Sequence, residues 1–321
     1  MVTGAGGFIG SHLCERLLQL GAQVTALIRY TSRSDWGNLD YLPPEIKASL
    51  SVVRGNIEDS NFVEDCVRGK DIVFHLAALI GIPYSYVAPL SYVRTNVEGT
   101  LNILESAKKF SVAKVAHTST SETYGTAIYT PIDEKHPLQG QSPYSASKIS
   151  ADKMAESYHL AFGLPVTTVR PFNTYGPRQS ARAVIPTIIS QALTQPEIRL
   201  GSLDPVRDLL FIKDTVDGFI RSAEADSAVG ETINLGFGKG ITIGELAHAI
   251  LQLMQIDKPI VLDNKRLRPL NSEVFTLICD NRKAAKLLGW SPRYSLNDGL
   301  IQAIAFVSSN LHMYKPNTYM V

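Results

Sequence analysis

The chain has almost no net charge: 31 lysines and arginines face 30 aspartates and glutamates across 321 residues. That balance excludes a long-range field drawing the protein to nucleic acid or an anionic membrane, so an anionic ligand must be gripped locally. Cysteine is scarce too. Cys14, Cys66 and Cys279 are widely spaced, odd in number and in no metal pattern, which predicts reduced thiols in a cytoplasmic protein and no metal centre. The longest apolar stretch, Ile72 to Ile82, is interrupted by His75 and Gly81 and is too short to span a bilayer. No basic-then-apolar leader precedes the first glycine motif, which predicts a protein that is not secreted.

What is present is an alternation of two periodicities. Val24–Ile28, Leu50–Arg54, Ile72–Leu76, Val112–Thr118 and Val166–Arg170 read as strands, while Ile9–Leu20 and Val97–Phe110 carry the 3.6-residue period of amphipathic helices. Such alternation predicts an α/β fold with a doubly wound parallel sheet of Rossmann type, and the near-continuous apolar strands fit a sheet covered on both faces. From Pro171 the rhythm breaks at Pro177, Pro186, Pro196 and Pro205. We expect a dinucleotide-binding domain of residues 1–172 plus 209–236, and a smaller α/β ligand-binding lobe of residues 173–208 plus 237–321. The chain would return to the sheet near Leu209–Glu224 and Thr232–Leu235. Only Met1-Val2-Thr3 precede Gly4, whereas a strand usually holds about five residues. The first strand is therefore expected to be stunted, or to begin upstream of this sequence.

Gly4-Ala5-Gly6-Gly7-Phe8-Ile9-Gly10 reads G-x-x-G-x-x-G between that strand remnant and a helix. Glycine admits positive φ and close backbone approach, and the helix start offers free amides to a pyrophosphate. The plain alternative is a tight strand-to-helix turn; the position within a βαβ unit favours the cofactor reading. A dinucleotide fold usually carries an acid for the ribose diol, or an arginine for a 2′-phosphate, about 20 residues further on. Here the second strand ends in Arg29-Tyr30 with Arg33 following and no acid at its end. NADP(H) is thus favoured over NAD(H). Asn56 and Ile57 are candidates for the adenine, and Leu76, Ala77 and Ala78 for the cleft wall; His75 is read as a packing histidine.

The fifth predicted strand runs into Thr120-Ser121-Glu122, and Tyr144 and Lys148 lie four residues apart further on. Strand ends of this kind are where open α/β sheets bind ligands. The Tyr-x-x-x-Lys spacing stacks both side chains on one helix face, so the ammonium is expected to stabilise a phenolate and lower the tyrosine pKa. Tyr-Lys suggests hydride transfer; the added carboxylate of Glu122 suggests further chemistry on the oxidised substrate.

In this order the motifs resemble the extended short-chain dehydrogenases/reductases acting on nucleotide sugars. The match includes Gly4/Gly7/Gly10, Asn96 in Thr95-Asn96-Val97, Tyr144/Lys148, Arg170-Pro171-Phe172-Asn173, Tyr175-Gly176-Pro177-Arg178 and Arg207-Asp208. Thr120-Ser121-Glu122-x-Tyr124-Gly125 is similar to the 4,6-dehydratases. Ser142-Pro143-Tyr144 through Lys148, with Gln179-Ser180-Ala181-Arg182-Ala183-Val184-Ile185-Pro186, resembles the dehydratases of nucleotide-linked N-acetylglucosamine in legionaminic-acid-type pathways.

The resemblance implies tightly held NAD(P) and a GDP- or UDP-linked sugar. Tyr144, Lys148 and Thr120 would oxidise C4, Glu122 would abstract the C5 proton before water leaves C6, and the hydride would return to C6. Many dehydratases place an aspartic acid where Ser121 stands; GDP-mannose dehydratases share the serine, and protonated Glu122 is the candidate acid. Asn96 and Pro171 are carried over as cofactor contacts, and Asn173, Arg178, Val184, Arg207 and Arg268 as substrate contacts. Arg178 and Arg182 are left open between phosphate, nucleobase and the other lobe. His117 and Glu273 are read as structural. The faces of Val97–Phe110 and Tyr144–Leu160 imply a homodimer. Rival readings are a nucleotide-uronic-acid decarboxylase, a 4-epimerase and, from another class, a non-catalytic NADP-sensing protein.

Overall fold

The computed structural model describes residues 1–267 and 273–314. The predicted apolar runs become β1 (Val2–Thr3), β2 (Thr25–Arg29), β3 (Ser51–Gly55), β4 (Ile72–His75), β5 (Lys114–Thr118) and β6 (Val166–Pro171). Beyond them lie β7 (Asn173–Tyr175), β8 (Ile198–Leu200), β9 (Val206–Phe211), β10 (Thr232–Leu235), β11 (Gly240–Thr242), β12 (Ile260–Leu262) and β13 (Thr276–Leu277). A seven-stranded sheet has the order β10-β6-β5-β4-β1-β2-β3, with parallel pairing throughout. The chain direction across the sheet reverses between β1 and β4, and a crevice opens there at the carboxyl ends. Two-residue β1 nonetheless sits centrally, with Val2 in register with both Ala26 and Phe74.

Strand alternation splits the side chains between two layers. On β5, Val115 joins Val63, Ile103 and Ala155 on one face of the sheet, while Ala116 joins Leu13, Phe74 and Phe219 on the other. The helices Ser60–Val67, Gly99–Lys109 and Pro143–Phe162 cover the first face, and Phe8–Gln19 with Ile212–Glu224 the second. The helix expected over Val97–Phe110 starts earlier, at Pro89, and passes through a wider π-type turn at Val93–Glu98. Gly99 then packs close to Ile57, whose Cδ1 would lie 2.6 Å from a Cβ on that glycine.

Strand β9 organises a smaller sheet, pairing with β7 and β13 in parallel and with β11 antiparallel; β8 and β12 form a separate parallel pair. Of the expected return to the main sheet, Thr232–Leu235 adds as edge strand β10 beside β6. Leu209–Phe211 remains in the small sheet because β7 takes its edge, and the following helix, Ile212–Glu224, makes the return by packing over β5 and β6. The Asp214 side chain on that helix accepts from the Arg293 and Tyr294 amides at 3.0 and 3.1 Å. Beside it the Trp290 indole, fully buried, donates to the Asp214 carbonyl at 3.0 Å.

Trp290→Ala empties this junction and is expected to destabilise the protein by about 3–5 kcal/mol. Equilibrium urea unfolding measures it; an unchanged midpoint would show that the junction carries no stability.

Candidate functional site

A cavity of about 870 Å³ follows the crevice from the glycine turn to the second lobe. Its floor at the turn is shaped by backbone proximity. Gly4 has φ +65°, and a Cβ there would lie 2.8 Å from the Ala77 nitrogen; a Cβ on Gly10 would lie 2.4 Å from the Gly4 carbonyl. Only glycine lets β1, the end of β4 and the start of helix Phe8–Gln19 meet so closely. The Leu76 and Ala77 amides both donate to Thr3 Oγ1, at 3.1 and 3.0 Å. Thr3 Oγ1 is also 2.9 Å from His75 Nδ1, and the other ring nitrogen lies 3.0 Å from Thr100 Oγ1. Burial, then the neighbouring His117 and Lys148, hold the His75 pKa well down. It is the packing histidine expected.

Gly4, Gly7, Phe8, Ile9 and Gly10 line the cavity at this end, as do Leu76, Ala77, Ala78 and Pro171. The helix start directs its free amides there, a site for a pyrophosphate. Thr118 Oγ1, on the wall, is buried with no hydrogen-bond partner among the described residues. A side-chain-free cradle, free helix amides and an unmet hydroxyl fit a dinucleotide.

The second strand's end is only partly as expected. Arg29 lines the cavity, but exposed Arg33 does not and pairs with Asp35 at 3.4 Å. Asp35 itself is on the wall. It escaped sequence reading because it lies beyond the strand end, and a turn brings it back: the Trp36 carbonyl would sit 2.9 Å from a Cβ on Gly6. Asn56 and Ile57 are not on the cavity wall. Asn56 Oδ1 accepts from the Glu58 amide at 3.2 Å, and Ile57 is buried in the core. Asn96 is also behind the wall, fully buried. It accepts from the Leu79 amide at 2.8 Å and donates to the Leu79 carbonyl and Ser147 Oγ, both at 2.9 Å. Its geometry is that of a clamp between the loop after β4 and the helix bearing Tyr144.

That helix, Pro143–Phe162, starts at a capping box in which the Ser142 and Ser145 side chains exchange hydrogen bonds with each other's backbone amides. Tyr144 and Lys148 follow on the face toward β5, and both line the cavity with Thr120 and Glu122. Ser121 is 2 % exposed and is not part of the wall. Burial raises the Tyr144 pKa, and the nearby Glu122 and Asp152 charges add to the rise; a hydrogen bond with Thr120 opposes it. The lowering expected from Lys148 is therefore overturned. Burial outweighs it, and the ammonium is engaged elsewhere, donating to the Thr118 carbonyl at 2.6 Å. Burial also brings Lys148 down to about 8, opposed by Asp152.

Below this pair lies a buried network. The Asp152 carboxylate accepts from Arg170 Nη2 at 2.7 Å and Ser119 Oγ at 2.6 Å, and lies 3.0 Å from His117 Nε2. Arg170 also donates to the Tyr124 hydroxyl at 2.7 Å, which donates to Asn234 Oδ1 at 2.7 Å. His117 is structural, as read from the sequence.

At the second lobe, Asn173, Val184 and Arg207 line the cavity. Asn173 Oδ1 is buried without a hydrogen-bond partner among the described residues. Arg207 donates to Glu273 at 3.2 Å, and Glu273, expected to be structural, is on the wall too. Arg178 does not face the cavity. It is buried against helix Phe8–Gln19, 2.5 Å from Glu15, and its carbonyl accepts from Asn38 Nδ2 at 3.0 Å. The placement as a substrate contact gives way to a strut between lobes, because Glu15 captures the guanidinium. Arg182 does line the cavity, its Nη1 2.9 Å from where a Gly81 Cβ would stand. Arg268 lies outside the described residues. Gln179 and Arg266, also on the wall, carried no sequence signal beyond their neighbours in the fold.

A family profile described as GDP-mannose 4,6 dehydratase matches residues 1–303. A dTDP-glucose 4,6-dehydratase of Streptomyces antibioticus is 32% identical, over 98% of this chain and 94% of its own length. A UDP-glucose 4-epimerase of Mycolicibacterium smegmatis is 32% identical over 95% and 97% respectively. Among solved structures, the dTDP-glucose 4,6-dehydratase DesIV of Streptomyces venezuelae, with NAD and TYD bound, is similar at a TM-score of 0.87 and 31% identity, covering 98% of both chains.

Gly10→Ala places its methyl against the Gly4 carbonyl, so the turn must open. The expected result is at least about a tenfold loss of dinucleotide affinity, since a lost 1.4 kcal/mol already gives that factor. Titration with NADH and NADPH followed by fluorescence measures it; unaltered affinity for both would refute the cradle.

Proposed function

Because this chain belongs to the extended short-chain dehydrogenase/reductase family of NAD-dependent nucleotide-sugar dehydratases and epimerases, we propose that it is a nucleotide-sugar 4,6-dehydratase. The observation that carries the reading is Glu122, which lines the cavity together with Thr120, Tyr144 and Lys148 and whose charge acts on Tyr144. A base beside the Tyr-Lys pair is what elimination requires and simple oxidation does not. The substrate we favour is a GDP- or UDP-linked N-acetylglucosamine, on the likeness of the segments around Tyr144 and Arg182 to the legionaminic-acid-type dehydratases.

Bound NAD(P) would supply the hydride acceptor and donor of a redox-neutral cycle. Tyr144, reacting as the phenolate and sharing the C4 hydroxyl with Thr120, takes its proton as the ketone forms. The ketone acidifies the C5 hydrogen, and Glu122 takes that proton. Protonated Glu122 then gives it to the departing C6 hydroxyl, which leaves as water. The C5–C6 double bond left behind would take the hydride back at C6 and a proton at C5, which closes the redox-neutral cycle. Ser121, buried off the wall, is poorly placed for the acid's role, which supports Glu122 in both. Asn173 and Arg207 would hold the diphosphate end, an arginine fork suiting phosphate oxygens.

NADP(H) is preferred in this reading because Arg29 faces the cavity and Asp35 is paired with Arg33. In this reading residues 1–172 plus 212–236 form the cofactor domain, and the remainder, with Leu209–Phe211 of β9, forms the sugar lobe. The exposed side chains of Leu160 and Phe162 at the end of helix Pro143–Phe162 favour a homodimer. No helix among the described residues is long and apolar enough to cross a membrane; we propose a cytoplasmic enzyme. The 4-epimerase and decarboxylase readings remain as outcomes of the test.

Incubation with UDP- and GDP-N-acetylglucosamine followed by mass spectrometry is expected to show loss of water. Unchanged mass with altered stereochemistry would mean epimerisation, and loss of carbon dioxide from a uronic-acid analogue would mean decarboxylation. Tyr144→Phe should lower kcat by about 10²–10⁴-fold. Glu122→Gln should abolish dehydration while reduced cofactor still accumulates at 340 nm; full dehydration by this variant would remove Glu122 as the base. With Lys148 acting as an ammonium, kcat/KM falls as pH rises through about 8.

A further inference from the structure

Tyr144, Lys148 and Asp152 recur at four-residue intervals along helix Pro143–Phe162, one face carrying a phenol, an ammonium and a carboxylate in sequence. The first two line the cavity and the third lies beneath it. Asp152 is held by three elements. Arg170 on β6 donates from 2.7 Å, Ser119 after β5 from 2.6 Å, and His117 on β5 stands at 3.0 Å. Arg170 is in turn fixed by Tyr124 at 2.7 Å and by Ser119 at 3.2 Å. A carboxylate gripped this way cannot turn away from the helix face above it.

We propose that Asp152 is the positioning residue for Lys148, keeping its ammonium charged and aimed at the Thr118 carbonyl, and that Arg170 limits how strongly it does so. This assignment rests on the dehydrogenase-type role of Tyr144 and Lys148 above. The charge balance explains it. Lys148 and Arg170 are two buried cations, and Asp152 is the buried anion that touches Arg170 and acts on Lys148. The other titratable groups facing the lysine are His75 from β4 and His117 from β5, both kept neutral by burial, and Tyr144 on its own helix. Glu122, from the turn after β5, faces Tyr144. From the π-type turn, neutral Asn96 reaches Ser147 on the same helix at 2.9 Å. Burial favours a neutral lysine, and Asp152 opposes it; Arg170 both occupies Asp152 and adds a like charge.

The two partners therefore make opposite predictions, which a purely structural role would not. In protein labelled with 15N-lysine, the Lys148 ammonium signal is assigned by its loss in Lys148→Met and followed against pH in the full chain without substrate. Asp152→Asn should move the midpoint down by roughly 1–3 pH units, the range for an opposite charge at close approach. Arg170→Met should move it up, and Arg170→Lys should restore it. An unmoved midpoint in Asp152→Asn, or a downward move in Arg170→Met, overturns the proposal. If Asp152→Asn does not fold, the Arg170→Met and Arg170→Lys pair decides alone. The titration needs no nucleotide sugar, so failure to dehydrate any sugar would count against the catalytic reading and leave this result standing. For a sugar that is turned over, the alkaline limb of kcat/KM should move in the same directions.

Discussion

The buried pair of Arg170 and Asp152, 2.7 Å apart, is the contact on which the rest of the site depends. It joins β6 to the helix of Tyr144 and Lys148, and through His117, Ser119 and Tyr124 it also holds β5 and the turn bearing Thr120 and Glu122. Burial alone would raise an aspartate pKa, but Arg170, His117 and Lys148 together hold Asp152 far below the usual carboxylate range. Leaving either partner uncompensated is expected to cost about 3–5 kcal/mol. That risk sits directly under the helix face of Tyr144 and Lys148, where a rigid support keeps both in one geometry.

The second lobe is tied to the first, and held within itself, by comparable devices. The Arg178 guanidinium reaches Glu15 on the glycine-loop helix, and its backbone adopts φ +65° to do so. Asp208, beside cavity residue Arg207, receives the Phe237, Gly238 and Cys279 amides at 2.7, 2.8 and 3.0 Å. Burial nonetheless pushes its carboxyl up to about 6. The glycine turn and the second lobe are thus walls of one cavity, anchored by charges that face away from it.

Much of this was legible before any coordinates. The strands alternate, the glycines recur every three residues, and Thr120, Glu122, Tyr144 and Lys148 fall where strand ends and helix faces must bring them together. What misled were residues whose role depends on a distant partner. Arg178 reads equally as a contact to phosphate, nucleobase or the other lobe until Glu15, 163 residues away, takes its guanidinium. Ile57 reads as an adenine contact until Gly99 opens a core space for it. Asp35 and Glu273 reach the wall only through loops whose path no periodicity encodes.

The sequence by itself determined the sheet, the cofactor turn and the order of the reacting groups, because local spacing and periodicity are sufficient for those. Only the tertiary structure decided which charges meet. It turned Ser121 inward and Glu122 outward, paired Arg170 with Asp152, and raised the Tyr144 pKa where spacing alone predicted a fall. Protonation state and orientation depend on burial and on partners remote in the chain, and those exist only once the chain has folded.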